Sequence, residues 1–158
     1  MAYYFRAFCT AEQAPSLAEV LGWVRERGVT LQASPAELEQ WGRAPVPLKY
    51  AQDATPFYAE LNRNTGADSL CAQEASEFAE MVGEVKKAPR TRARILQHLQ
   101  DTKYIVACRI DDPAGFSDAG WHAIDVLLAY FIVHSNGMIQ ADGQGFYEKG
   151  EIALELAA

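Results

Sequence analysis

The feature that most constrains this chain is an almost wholly apolar segment at residues 118–135. Within residues 121–133, only His122 and Asp125 are polar. The segment predicts one long helix, and a helix that is apolar on nearly every side must be buried. No apolar run in the sequence reaches the roughly 20 residues of a membrane span. We therefore expect this helix to be the most buried helix of a globular core.

The rest of the chain alternates strand-like and helix-like patterns. Short apolar or alternating runs predict strands at residues 2–10, 29–33, 46–51, 57–62, 103–110, 138–142, 146–150 and 151–156. Ser16 and Ser34 each precede a Glu by three residues, the spacing of a capping box that starts a helix. Two further helices are predicted at residues 71–87 and from Pro89 to about residue 100.

This order of elements predicts an α+β fold, with a largely antiparallel sheet and helices packed on one face. The order strand, helix, glycine, strand, hairpin occurs in residues 3–61 and again in residues 104–156. The fold could therefore consist of two β-α-β-β halves. Because neither half is flanked by a linker rich in Ser, Gly or Pro, we expect one domain over residues 1–158.

The charge of the chain is acidic and unevenly distributed. Asp and Glu total 21 against 14 Lys and Arg, a net charge of −7. Repulsion from phosphate backbones disfavours nucleic acid as a partner. Residues 86–94 contain five cations and no carboxylate, so the remainder of the chain is strongly acidic.

Two charged surfaces are candidate binding sites. Residues 71–87 predict an amphipathic helix with one acidic side, formed by Glu74, Glu77, Glu80 and Glu84. It could steer a basic partner. In the adjoining basic strip of residues 86–94, the candidate binding residues are Lys86, Lys87, Arg90 and Arg94, and they could hold an anionic group. The plain alternative is that both sets are solvated helix faces.

A third group of polar side chains lies on the apolar segment. Asp118, His122 and Asp125 are spaced i, i+4 and i+7, which places them on one side of a helix. Such a trio could hold a divalent metal or act as a general base. We expect a solvated stripe instead, because some side of this helix must face water. We accordingly predict no metal and no cofactor.

Motifs of catalysis are weak or incomplete. The serine within residues 115–120 lacks the glycine spacing of a nucleophile elbow, and Gly143-Gln144-Gly145 is half of a dinucleotide fingerprint with no helix after it. The three cysteines, Cys9, Cys71 and Cys108, have no C-x-x-C spacing. They predict small buried side chains rather than nucleophiles. These observations disfavour an enzyme.

The sequence best fits a non-catalytic protein-binding module, comparable in size and charge to inhibitor or immunity proteins, with a basic protein as partner. The alternative is a small-molecule binder or enzyme with a pocket between the 118–135 helix and the sheet. A self-associating subunit, such as a homodimer, is a third hypothesis. The start of the chain lacks the pattern of a signal peptide, so we expect a cytoplasmic protein without a membrane partner.

Overall fold

Seven antiparallel strands form one sheet in the computed structural model, which describes residues 1–156. The strands are β1 (Tyr3–Cys9), β2 (Val46–Leu48), β3 (Phe57–Arg63), β4 (Tyr104–Ile110), β5 (Met138–Ala141), β6 (Gly145–Glu148) and β7 (Glu151–Glu155). The helices are α1 (Leu17–Glu26), α2 (Pro35–Leu38), α3 (Leu70–Glu84), α4 (Pro89–Gln100) and α5 (Asp118–Ser135). The last two residues of the expected domain, 157–158, lie outside the described part.

The strand order is β2-β3-β4-β1-β5-β6-β7, so the first strand of the chain lies in the interior of the sheet. Ala7 of β1 is opposite Val106 of β4 on one side and Ile139 of β5 on the other. β5, β6 and β7 then continue the sheet as consecutive antiparallel neighbours. α5 directly precedes β5 in the chain and contacts it, so the hairpin of β5 and β6 lies beside this helix.

Both faces of the central strands are apolar, and helices cover both. Because side chains alternate along a strand, Ala7 and Cys9 point to one face of β1 and Phe8 to the other. The first face packs against α1 and α5, and the second packs against α3 and α4. The predicted α+β class is confirmed. The expectation of helices on one face is too narrow, because Phe8 and Ile105 present a second apolar surface that must be buried.

Helix α5 is the most buried helix, as the sequence predicts. It spans residues 118–135, and the buried side chains on it outnumber those on any other helix. Its start is fixed by Ser117, whose hydroxyl accepts a hydrogen bond from the Gly120 amide at 3.2 Å. Its end is fixed by Asn136, which adopts the left-handed conformation (φ 50°) typical of a residue that stops a helix. None of the helices within the described residues has the length and apolar character to cross a bilayer.

The two predicted capping boxes differ in the structure. At α2, Ser34 and Glu37 bond to each other's backbone amides, at 3.1 and 2.8 Å. At α1, the Ser16 hydroxyl caps the Glu19 amide at 3.1 Å. The Glu19 carboxylate instead accepts a hydrogen bond from the Tyr130 hydroxyl at 2.7 Å, and this bond ties α1 to α5.

Several element predictions are wrong in part. The strand predicted at residues 46–51 ends at Leu48. Residues 29–33 form no strand and contribute one isolated bridge, between Gln32 and Lys49. Ser34 and Pro35 begin α2 directly afterwards, so the chain leaves the sheet after this bridge. The helix predicted at residues 71–87 ends at Glu84, so the two lysines that follow lie in a loop.

The two halves of the chain share a strand–helix unit followed by a hairpin. β1 with α1, and β4 with α5, are strand–helix units whose strands pair at the centre of the sheet and whose helices pack on the same face. Each half then adds an antiparallel hairpin to the central strand of the other half: β3, paired with β2, pairs with β4, and β5, paired with β6, pairs with β1. The halves differ between the helix and the hairpin, where the first half contains α2, and at β7, which follows the second hairpin.

Candidate functional site

An elongated cleft runs between α5 and the hairpin of β5 and β6, with a volume of about 890 Å³. Helix α5 lines it with Trp121, Asp125, Leu128 and Ile132. These residues are spaced i, i+4, i+7 and i+11, so they form one stripe along the helix. We call this feature the α5 cleft. Its volume lies within the range of small-molecule binding pockets.

The sheet supplies the opposite wall of the α5 cleft. Phe5, Ile139 and Tyr147 line it from β1, β5 and β6. Ile152 of β7 is paired with Tyr147 of β6, and it is 43% exposed. The apolar surface of the sheet therefore extends past the cleft to an exposed residue. On the α5 side of the cleft, Ile132 is likewise 50% exposed.

Aromatic rings fix the end of the cleft nearest the start of α5. Trp121 packs edge-to-face against Phe5 and Phe116, with ring centroids 5.9 and 5.1 Å apart. Tyr3 contacts both Phe5 and Trp121. Such edge-to-face pairs contribute stabilising energy beyond that of the area they bury. The Trp121 ring is therefore held in a defined position at this end of the cleft.

Asp125 is one of two carboxylates that line the α5 cleft, and Glu148 is the other. Desolvation by the surrounding protein raises the pKa of the Asp125 carboxyl above its ordinary value, and the nearby His122 imidazole lowers it in part. Within residues 1–156, no Lys, Arg or His nitrogen forms an ion pair with Asp125. Asp125 is thus an exposed carboxylate without a compensating cation, whereas Glu148 is paired with Arg94.

We expect Asp125 to titrate above the ordinary range of an aspartate, which carbon-13 NMR of its carboxyl carbon can measure. Because the folded pKa is raised, the folded state loses stability as pH rises from the unfolded to the folded pKa of this group. Asp125→Asn should remove that loss, and His122→Ala should raise the Asp125 pKa further. Titration at or below the ordinary value would show that the surrounding protein does not desolvate this carboxylate.

An ion pair lies at the other end of the α5 cleft. Arg94 of α4 contacts Glu148 at the end of β6, with Nη2 and Oε1 2.8 Å apart. The hydrogen bond from Arg94 lowers the pKa of Glu148. His98 lies one turn further along α4, and its Nε2 is 2.7 Å from the carbonyl oxygen of Phe8. The Arg94 guanidinium is therefore already engaged by a carboxylate of this chain.

The predicted acidic side of α3 is divided by the structure. Glu77, Glu80 and Glu84 are exposed, and none of them forms an ion pair with a residue between 1 and 156. Glu74 instead turns toward the sheet, where its Oε2 is 2.7 Å from Nε of Arg6. Glu74 is thus a partner of the sheet rather than a member of a continuous acidic ridge.

Arg6 forms a polar network that the sequence analysis missed. Besides Glu74, its guanidinium donates hydrogen bonds to Gln140 at 2.7 Å and to Asp142 at 2.8 Å. The Arg6 guanidinium also lies over the ring of Phe78, 5.1 Å from its centroid. The sequence did contain a signal for this network: Arg6 is the one cation within the aromatic strand of residues 2–10. A cation that is buried in such a strand needs carboxylate partners.

The predicted basic strip is dispersed. Lys86 and Lys87 are exposed in the loop between α3 and α4, and Arg90 is exposed in the first turn of α4. Arg94 lies one turn further on and belongs to the α5 cleft. The four cations therefore do not converge on one anionic group.

Asp118, His122 and Asp125 are all exposed on α5. In the described part of the chain, no set of three or more His, Cys, Asp or Glu side chains has an arrangement that could hold a metal. Of the three, Asp125 alone lines the cleft. Asp125 is therefore the one candidate functional group of this trio, and the three residues do not form a set of metal ligands.

The cysteines are buried free thiols, as the sequence predicts. Burial raises the pKa of Cys71 to about 11 and of Cys108 to about 12, and it raises the pKa of Cys9 as well. Because the thiolate is the nucleophile, these groups are poorly suited to covalent chemistry near neutral pH.

No protein-family model, curated protein sequence or solved structure matches this chain. The functional argument therefore rests on the geometry of the α5 cleft and of the exposed part of α3.

Proposed function

We propose that the chain is a non-catalytic protein-binding module that recognises a basic protein. The proposed contact surface is the acidic face of α3, formed by Glu77, Glu80 and Glu84. The observation that carries the proposal is that these three exposed carboxylates have no cationic partner among residues 1–156.

The position of these carboxylates on α3 is unfavourable to the isolated helix. Glu80 and Glu84 lie in its last two turns, close to the end at which the helix dipole is negative. Like charges three or four residues apart also repel one another. A cationic partner would offset both effects, and this supports a role in recognition.

An exposed apolar side chain lies among the carboxylates. Met81 is 38% exposed and follows Glu77 by one helical turn, so both project from the same side of α3. Methionine is adaptable in shape and is enriched in protein interfaces. The acidic face thus combines an apolar contact with surrounding charges, which suits a partner that carries Lys and Arg around an apolar residue.

Complementary charge speeds association and makes it dependent on salt. We therefore expect Glu77→Lys/Glu80→Lys to slow binding of the natural partner by about tenfold or more. The partner is first captured from a lysate at low salt on the immobilised wild-type chain. The rate constants are then measured with the purified partner at low and at ~0.5 M salt.

A matched control changes net charge equally at a different place. Glu39→Lys/Asp53→Lys alters two exposed carboxylates outside α3, and we expect it to bind as the wild type does. If both double variants bind alike, or if no basic protein is retained by the wild type, the acidic face of α3 is a solvated surface only.

We assign this function to the cytoplasm. The three cysteines are free thiols, and a reducing compartment maintains thiols in that state.

A further inference from the structure

We infer that the α5 cleft is a second binding site, specific for a small amphiphile that carries one ammonium group on an aliphatic chain. The site does not involve α3, and the inference is independent of the function proposed above.

The ammonium group is assigned to the end of the cleft that contains Asp125 and Trp121. Asp125 lines the cleft and forms no ion pair with any group in residues 1–156. Trp121 precedes it by one helical turn and lines the same cleft, with its ring held by Phe5 and Phe116. An ammonium can pair with the carboxylate and lie against the indole ring at the same time.

The aliphatic chain is assigned to the middle of the cleft. Leu128 and Ile132 on α5 line the same cleft as Ile139 and Tyr147 on the sheet. The distance from Asp125 to Ile132 along the helix is about 10 Å, at 1.5 Å per residue. Ile132 is 50% exposed, and an aliphatic chain extended along this stripe would cover it.

The far end of the cleft gives no strong reason for an anionic headgroup. Arg94 is already paired with Glu148 at 2.8 Å, so its charge is compensated within the protein. Lys149 also lines the cleft, but it is exposed on the turn between β6 and β7. An anion bound there would rely on one solvated lysine, whereas a cation bound at Asp125 meets a carboxylate without an ion-pair partner and an aromatic ring.

The test compares three probes that share one chain and differ in headgroup: octylammonium, octanol and octanoate. Calorimetric titration of the intact wild-type chain should show the order octylammonium, then octanol, then octanoate. Hexylammonium should bind more weakly than octylammonium by about fourfold for each methylene removed, if each methylene is buried in the cleft.

Variants assign the headgroup to Asp125. In Asp125→Asn, octylammonium should lose about tenfold or more in affinity while octanol binding is unchanged. Asp118→Asn removes an exposed carboxylate from the same helix outside the cleft, and it should bind all three probes as the wild type does. Ile132→Lys should weaken the binding of octylammonium and of octanol.

Three results would overturn the inference: octanoate binding as tightly as octylammonium, an unchanged octylammonium affinity in Asp125→Asn, or no binding of any probe. Glu77→Lys/Glu80→Lys should leave octylammonium binding unaltered. A failure of the cleft site is thereby distinguished from a failure of the acidic face of α3.

Discussion

Replacing Arg6 with methionine should lower the free energy of unfolding by about 3–5 kcal/mol, the usual effect of removing one partner from a buried ion pair. The Arg6 and Glu74 side chains are only 13% and 18% exposed. Methionine fills part of the space of the Arg6 side chain but leaves Glu74 and Asp142 without their cation. Urea denaturation at neutral pH measures the effect.

A double variant separates the lost cation from lost packing. Arg6→Met/Glu74→Gln neutralises the more buried of the two carboxylates that the single variant leaves unpaired, so it should recover part of the stability. A loss below about 1 kcal/mol for Arg6→Met, a value typical of exposed ion pairs, would show that the network is solvated. A double variant no more stable than the single one would show that charge at Glu74 is not the cause.

Replacing Gly145 with alanine should destabilise the protein by about 3 kcal/mol or more, because strain and overpacking each contribute about 1–3 kcal/mol. Gly145 begins β6 with a φ of 134°, which favours glycine, and an added Cβ would clash with the backbone carbonyl oxygen of Leu154. Backbone on both sides of this contact must move, so the pairing of β6 with β7 should be disrupted.

Gly143 provides the matched control in the same hairpin. Its φ is also positive, at 73°, but an added Cβ would meet nothing within 4 Å. Gly143→Ala should therefore show conformational strain alone, about 1–2 kcal/mol. Equal losses for the two variants in urea denaturation would show that the contact with Leu154 relaxes at little cost.

Local patterns predicted those elements whose determinants are close in sequence. The bounds of α5 agree with the apolar segment at residues 118–135, and the start of α2 follows from Ser34 and Glu37. Residues 29–33 have the same strand-like composition as true strands. They form one isolated bridge and no ladder, and α2 begins immediately after them, an arrangement that composition does not express.

The candidate site depends on contacts between distant residues, and these were not predictable. The stripe from Trp121 to Ile132 is visible as a helical spacing, but its opposite wall exists only because β5 pairs with β1. Likewise, spacing alone places Glu74 with Glu77 on α3. Its contact with Arg6, 68 residues away in sequence, is set by the packing of α3 on the sheet.

The interior position of β1 has a consequence for how the chain folds. Both neighbours of this strand, β4 and β5, are supplied by residues 104–141. Closing loops of roughly a hundred residues carries an entropic cost before the contacts form, which slows folding. On the ribosome, β1 emerges first and has neither neighbour until most of the chain has been synthesised. Loss of residues 3–9 from the N-terminus would accordingly remove a strand from the interior of the sheet and separate its two sides.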